Sequence, residues 1–419
     1  MSGSKSVCVI GGGVIGLSVA WYLQRRGYKV TVLERGSPEH DGCSLGNAGM
    51  IVPSHFVPLA APGMVSLGIK MMANPQSPFY IRPRLSRDLI GWGLQFVKSA
   101  NAAHVTRSAP LLRDLNLASR RAYEDLSTHF GGEFGLVKKG LLMLCRTEKA
   151  LHEEGQTAIK AKALGIPAEV LTPEQTTQLD PNICRDIAGA VYFPQDCHLN
   201  PGRFVAGLTR DLIANGAAFR WNTEATGWRT RDTHIEAIQT QNGDLSCDEY
   251  VLAGGVWSSS LARDLHIDLP MQAGKGYSVT LQHPRQLPSI CSILTEARVA
   301  VTPMGETLRV GGTMEIAGLD ERINLQRVQG IINSVPAYFP KFSVDDFKDA
   351  PVWHGLRPCS PDGLPYIGRF ARFTNLTAAT GHAMMGLSLA PVTGQIVAAL
   401  LSDETPEFDL TLLRPERFN

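Results

Sequence analysis

The sequence predicts an α/β fold joined to an α+β part, and three observations predict it. A strand–helix–strand pattern with glycines at its first turn opens the chain. Alternating apolar and polar runs fill residues 275–313, and the 419-residue length exceeds what one core usually holds.

The elements follow in order. "SVCVIGGG", starting at Ser6, is a β-branched apolar run that ends in glycines, as a buried parallel strand does. "VIGLSVAWYLQRRG" spaces apolar residues helically and stops at Gly27, and "KVTVLER" is a second strand, completing a βαβ unit. From Pro58 to about Phe130, proline breaks separate helical segments, with helices expected over 86–101 and 106–130. "KGLLMLC" (139–145) resumes as a strand and 147–164 is helical. "GAVYFP" (189–194), a helix over 200–216 and "AFRWN" read as a second β-turn-α-β run. Residues 225–254 alternate like an antiparallel hairpin around an "NGD" turn and end in the apolar strand "YVLAGG". "KGYSVTLQ", "RVAVTP" and "ETLRVGGT" alternate as strands with one wet face. A helix near 324–337, strands at 351–356 and 374–378, and a long helix at 386–402 close the chain.

Forty basic residues against thirty-nine acidic ones give no general field for polyphosphate, which disfavours nucleic acid as a partner. Eight scattered cysteines without a C-x-x-C pair suggest neither a metal cluster nor a disulfide framework, but reduced thiols in a cytoplasmic protein. No uninterrupted apolar stretch approaches the roughly 20 residues of a membrane span. The expected location is the cytoplasm, with peripheral contact on the inner face of its membrane as an alternative.

Gly11-x-Gly13-x-x-Gly16 lies between a predicted strand and a predicted helix, and Glu34 ends the next strand. In that setting the motif marks a dinucleotide site. The first glycine permits the turn, the second admits a pyrophosphate, and the third lets helix pack on strand. The helix N-terminus then offers free amides to the phosphates, with Val14 and Ile15 in its first turn. Glu34, followed by Arg35, can accept from ribose hydroxyls and disfavours a 2′-phosphate. The motif alone leaves FAD and NAD both open.

Three later segments resolve this by resemblance. "CSLGNAGMIVP" (43–53), "VLAGGVWSSSLA" (251–262), and "GLRPCSPDGLPYIG" (355–368) with "NLTAATGHAMMGLSLAPVTGQIVAALL" behind it together resemble the D-amino-acid oxidase superfamily of FAD enzymes. The likeness spans the chain and is greatest to the bacterial D-amino-acid and D-hydroxyproline dehydrogenases. It implies a Rossmann-like FAD-binding domain of glutathione-reductase type and a mixed, largely antiparallel substrate domain. The two would interleave, with 1–60, 185–272 and 345–419 in the first, and 61–184 and 273–344 in the second, carrying a helical insertion at 62–130.

The resemblance also assigns roles. Ser44, Asn47, Ala48 and Gly49 would present backbone groups to the flavin and pyrophosphate, with Met50 at the ring edge. Gly254 and Gly255, ahead of Trp257, would let FAD pass close to the chain. Gly381, His382, Met384, Met385, Gly386 and Leu387 would bring a helix N-terminus to the flavin pyrimidine. Arg357 would grip the substrate carboxylate through its planar fork. Hydride would pass from Cα to flavin N5, and electrons would go on to a quinone or similar acceptor. His55 and His382 stand near the flavin segments, and Lys275 is either solvated or near the flavin. His198 reads as helix-entry structure ahead of an Asn200 cap.

Departures from the family pattern matter. Met384 or Met385 stands where glycine oxidases place a second arginine, and Val299 stands near their tyrosine. Tyr277 is a candidate to compensate. Met50, Val299, Met314 and Met384 would make an apolar pocket suited to a side chain or ring such as proline. Gly355 replaces the cysteine that links flavin in some relatives, so FAD is expected to be non-covalent. Two alternatives are an oxygen-using glycine or sarcosine-type oxidase and a non-catalytic flavoprotein subunit.

Overall fold

Ser6–Ile10 sits at the centre of a six-stranded sheet, parallel to Lys29–Leu33 on one side and to Glu249–Leu252 on the other. The computed structural model describes residues 4–40, 42–72 and 74–418. Ala218–Arg220 extends this sheet beyond Lys29–Leu33, while Leu376–Thr380 and the antiparallel Tyr366–Arg369 extend the other side. The strand is wholly apolar over Val7–Ile10 because both faces are covered: helices pack on the Val7 and Val9 side, and hairpin residues Ile235 and Ile238 with Leu261 and Ala262 of a short helix cluster on the Cys8 and Ile10 side.

Helix Val14–Arg25 packs on the long helix Gly386–Leu401, which in turn packs on Ala102–His129. Gly386–Leu401 is apolar on nearly all sides, as a helix inside a large core must be. Among the described residues one segment, Ala383–Leu401, is long and apolar enough by length and composition to span a membrane; Ser388, Thr393 and Gln395 interrupt it, and it lies mostly buried in this core.

A second, nine-stranded sheet runs in the order Val352–Cys359, Gln272–Leu281, Thr307–Ile316, Val299–Met304, Cys291–Leu294, Leu141–Cys145, Gly189–Phe193, Glu169–Leu171, with Phe79–Ile81 paired to Thr307–Ile316. Helix Leu325–Tyr338 covers one face through Val328, Ile331 and Val335.

Four expectations need correction. Gly189–Phe193 pairs with Leu141–Cys145 in the nine-stranded sheet, whereas Ala218–Arg220 joins the six-stranded one. The expected second β-turn-α-β run therefore bridges two sheets, and the boundary at 185 falls too early. Arg357 does not follow a strand but lies within Val352–Cys359, which belongs to the nine-stranded sheet although 345–419 was expected with the other. The hairpin Ala225–Arg231 and His234–Thr240 turns at Asp232 and Thr233; the "NGD" glycine Gly243 makes a later turn that returns Leu245 to Ile238. Residues 62–130 also split: Met64–Met71 and Arg87–Ser99 lie by the nine-stranded sheet, while Ala102–His129 packs into the core beside the six-stranded sheet.

Candidate active site

A cavity of about 1230 Å³ runs from the Gly11–Gly13 turn, along residues 42–50, to the sheet face carrying Arg357. Its nucleotide end follows from the glycines. Gly11 has φ +114°, and a Cβ there would meet the Ala253 carbonyl at 2.5 Å. Gly13 differs: a Cβ would meet no protein atom nearer than the Ser44 Oγ at 3.5 Å, so the space above it is open to a ligand. The helix that follows has no side-chain cap and no acidic residue in its first turn. Val14 donates its amide to the Ser44 Oγ at 3.0 Å. Glu34 Oε2 accepts from the Gly12 amide at 2.6 Å and Oε1 from the Gly36 amide at 2.8 Å, which fixes the carboxylate on the cavity wall. The Arg35 guanidinium stacks 3.6 Å above the Trp257 ring.

Val14, Ile15, Ser44, Asn47, Ala48, Met50, Gly254, Gly255, Trp257, His382, Met384, Met385, Gly386 and Leu387 also line the cavity. Gly16, Gly49 and Gly381 do not. A Cβ at Gly16 would sit 1.9 Å from the Gly11 carbonyl, and one at Gly381 would meet the Tyr366 ring at 2.5 Å, so both serve close packing. Gly49 donates its amide to Asn47 Oδ1 and accepts at its carbonyl from Leu199, leaving neither group for a ligand. His382 Nε2 lies 3.0 Å from Thr393 Oγ1, while its buried Nδ1 has no partner among the described residues. Burial pushes this imidazole down to about 3, so it stays neutral. An open cradle at Gly13, uncapped helix N-termini and a spare buried acceptor fit a dinucleotide such as FAD.

Residues 44–49 are held by an arginine the sequence reading missed. Arg309 Nη1 donates to the Leu45 and Asn47 carbonyls, each at 2.9 Å, and Nε to Thr280 Oγ1. Burial pulls its pKa down to about 10. Its place in the alternating strand "ETLRVGGT" was the available signal. Trp353 was missed as well; its ring fills the space a Cβ would need at Gly46 and Gly355. A cysteine side chain at position 355 has no room, consistent with non-covalent flavin.

At the far end, Arg357 Nη1 donates to the Thr313 carbonyl at 2.6 Å, and the described residues give it no carboxylate. Beside it Met314, Trp92, Cys359 and Ala383 form an apolar cluster with Leu59, Phe79 and Phe96. Met64, Met71, Met72 and Phe96 roof the space from the two short helices. Arg357, Met314 and His55 line the same cavity.

Two expected residues turn their side chains elsewhere. Tyr277 borders the cavity, but strand alternation sends its ring into the core on the other sheet face, where its hydroxyl donates to Glu315 Oε2 at 2.6 Å. Val299 joins the same core, and its neighbour Ala300 lines the cavity instead. Lys275 is neither solvated nor beside the cavity: it is buried, donates to the Arg322 carbonyl at 2.7 Å, and lies 3.9 Å from Glu315. Asn200 caps helix Pro201–Ala214, as expected beside His198.

The comparisons agree with this geometry. A family model described as FAD dependent oxidoreductase matches residues 6–400. D-amino acid dehydrogenase from Methylobacterium radiotolerans is 34% identical over 417 residues, covering 97% of this chain and 99% of the relative. The enzyme of that name from Granulibacter bethesdensis is 31% identical over 408 residues, covering 96% and 97%. Among solved structures, glycine oxidase from Geobacillus kaustophilus superposes with a TM-score of 0.79 at 24% identity, covering 99% of both chains. L-proline dehydrogenase from P. horikoshii gives 0.73 at 18% identity, covering 99% of this chain and 98% of the other; both show a shared fold. The chain belongs to the FAD-dependent oxidoreductase family.

Proposed function

We propose that the protein is an FAD-dependent D-amino-acid dehydrogenase whose substrates include D-amino acids with apolar or cyclic side chains such as D-proline and D-hydroxyproline. The observation that carries this reading is Arg357, a cation facing the cavity with a backbone carbonyl as its protein partner. A fixed guanidinium without a carboxylate suits a bound one. The apolar cluster around Met314 and Trp92 suits the substrate's side chain. FAD, when bound, supplies the oxidant that accepts the Cα hydride. Arg357 orients the substrate, Met314 and its neighbours exclude water, and the roofing helices close the space. Full-length relatives named D-amino acid dehydrogenase support the activity.

A lipid-soluble or membrane-held acceptor such as a quinone fits the outer face of the roof. Ile90 and Leu94 are exposed along one side of helix Arg87–Ser99, with Leu85 exposed nearby and Val97 and Ile69 exposed where they border the cavity. Residues 64–107 carry six lysines and arginines against one aspartate, although the whole chain is nearly neutral. An apolar face among basic residues favours the surface of an anionic bilayer.

Anaerobic titration of the purified yellow protein with a panel of D- and L-amino acids tests the activity. Bleaching of the flavin by D-proline or D-alanine is expected. Bleaching by L-isomers alone, or by none, rejects the reading, and stoichiometric peroxide in air would favour an oxidase.

A further inference from the structure

We propose that His55, Ser54 and Asp196 form a proton relay that takes the substrate's ammonium proton from the cavity to a buried carboxylate, an inference that rests on the amino-acid substrate proposed above.

The three residues form one hydrogen-bonded line. Asp196 is fully buried and accepts from the Ser54 amide at 3.1 Å through Oδ1 and from the Ser54 hydroxyl through Oδ2. Ser54 Oγ lies 3.0 Å from His55 Nδ1. His55 borders the cavity, and its Nε2 makes no hydrogen bond to the described residues.

A serine hydroxyl has one hydrogen and can donate in one direction only. The line therefore has two settings. With Asp196 ionised, Ser54 donates to it, His55 Nδ1–H donates to Ser54, and Nε2 offers a lone pair to the cavity. With Asp196 protonated, the carboxyl donates to Ser54, Ser54 donates to Nδ1, and Nε2 carries hydrogen.

Passing from the first setting to the second moves one proton. The substrate N–H, the Nδ1–H and the Ser54 O–H bonds break, while Nε2–H, a new Ser54 O–H and Oδ2–H bonds form. The electron pair of the substrate N–H bond stays on the amine nitrogen, where the imino product needs it. An ammonium cation and a carboxylate anion both become neutral, and the imidazole is neutral before and after.

The surroundings suit this division. Burial alone pulls His55 down to about 4, which makes it a poor resting place for a proton but a good conduit. Burial lifts Asp196 to about 7, with the two Ser54 hydrogen bonds and Arg120 pulling the other way. A base poised near the working pH is the efficient one. The groups facing Asp196 are Arg120, itself paired with Glu124 at 3.1 Å, and the thiols of Cys197 and Cys291, which burial keeps protonated.

The test uses the FAD-loaded protein. Stopped-flow reduction of the flavin by D-proline without oxygen should rise with pH through an inflection near 7. Ser54→Ala and His55→Gln should slow it by about 10²-fold or more and remove the inflection, while Ser54→Thr, which keeps a hydroxyl, should restore both. Nitrogen-15 NMR of labelled histidine on the oxidised, substrate-free protein gives a second readout. The signal missing in His55→Gln should switch tautomer around that pH without becoming an imidazolium, and Asp196→Asn should abolish the switch. Unchanged rate and pH profile in Ser54→Ala, or a His55 that titrates to the cation, overturns the relay. If no amino acid reduces the wild type, the substrate reading fails, and the NMR result still decides whether the switch exists.

Discussion

Arg357 and Thr313 are joined by a 2.6 Å hydrogen bond from Nη1 to a backbone carbonyl, and Thr313 has φ +69°. A β-branched residue in the left-handed region is a strained outlier. The pairing of strands Gln272–Leu281 and Thr307–Ile316 shifts register here, with Tyr277 opposite Gly312 and Lys275 opposite Glu315. The extra residue forms a bulge that turns the Thr313 carbonyl toward the guanidinium. One half of the fork is thereby fixed by the backbone, and the other is left for a ligand.

Arg357→Lys should keep bound, yellow FAD but lose turnover. An ammonium cannot reproduce two parallel hydrogen bonds, so the loss should be about 2–5 kcal/mol in kcat/KM. The flavin spectrum and anaerobic reduction kinetics check it. Reduction at the wild-type rate would remove Arg357 from the substrate site.

Gly276→Ala attacks the same placement from beneath. A Cβ at Gly276 would fall 2.2 Å from Arg357 Nη2, so the guanidinium must move. Because a misplaced anchor impairs orientation, activity should fall at least about tenfold while FAD affinity stays unchanged. A parallel loss of flavin would point to general damage instead.

Gly13→Val should do the reverse. Protein atoms leave room for a small side chain at Gly13, so the fold should persist, but the bulk would occupy the proposed pyrophosphate path. The purified variant should be colourless with a wild-type circular dichroism spectrum. Retained FAD would contradict the assignment of this turn.

Much of the nucleotide end was legible because local rules govern it: glycine spacing, a strand, a helix and an acidic residue follow one another within residues 6–34. The expectation for Arg357 came through resemblance. What was not legible depends on contacts between distant segments. Arg309 holds carbonyls more than 260 positions away, and Asp196 meets Ser54 across 142. Tyr277 illustrates the opposite error. Its place in "KGYS", read as a strand neighbouring that of Val299, suggested a compensating site residue, but alternation along the strand turns its hydroxyl toward Glu315. The second β-turn-α-β run failed similarly, since local pattern does not say which sheet a strand joins.

The outer face of helix Arg87–Ser99 yields a separate prediction. Ile90→Ser and Leu94→Ser together should weaken co-sedimentation with anionic vesicles by about tenfold or more, at roughly 1 kcal/mol or more per buried apolar group. These side chains are exposed, so flavin content and reduction by D-proline should be unchanged. Wild-type protein that ignores the vesicles altogether would exclude a bilayer as the occupant of this face.

Asp196 makes stability depend on pH in a direction opposite to that of a salt-bridged carboxylate. Its folded pKa, lifted by burial to about 7, exceeds the unfolded value of about 3.9. Between those values the folded chain holds a proton that the unfolded chain has released, so folding takes one up. Its contribution therefore falls as pH rises from about 4 to about 7, by at most about 1.4 kcal/mol per unit, and is level above that. Asp196→Asn removes this dependence. Melting temperatures of FAD-loaded wild type and variant, measured across that window, should separate in the variant's favour as pH increases. Parallel curves would mean that Asp196 is ionised throughout, and the carboxylate would then lack the proton affinity that burial gives it here.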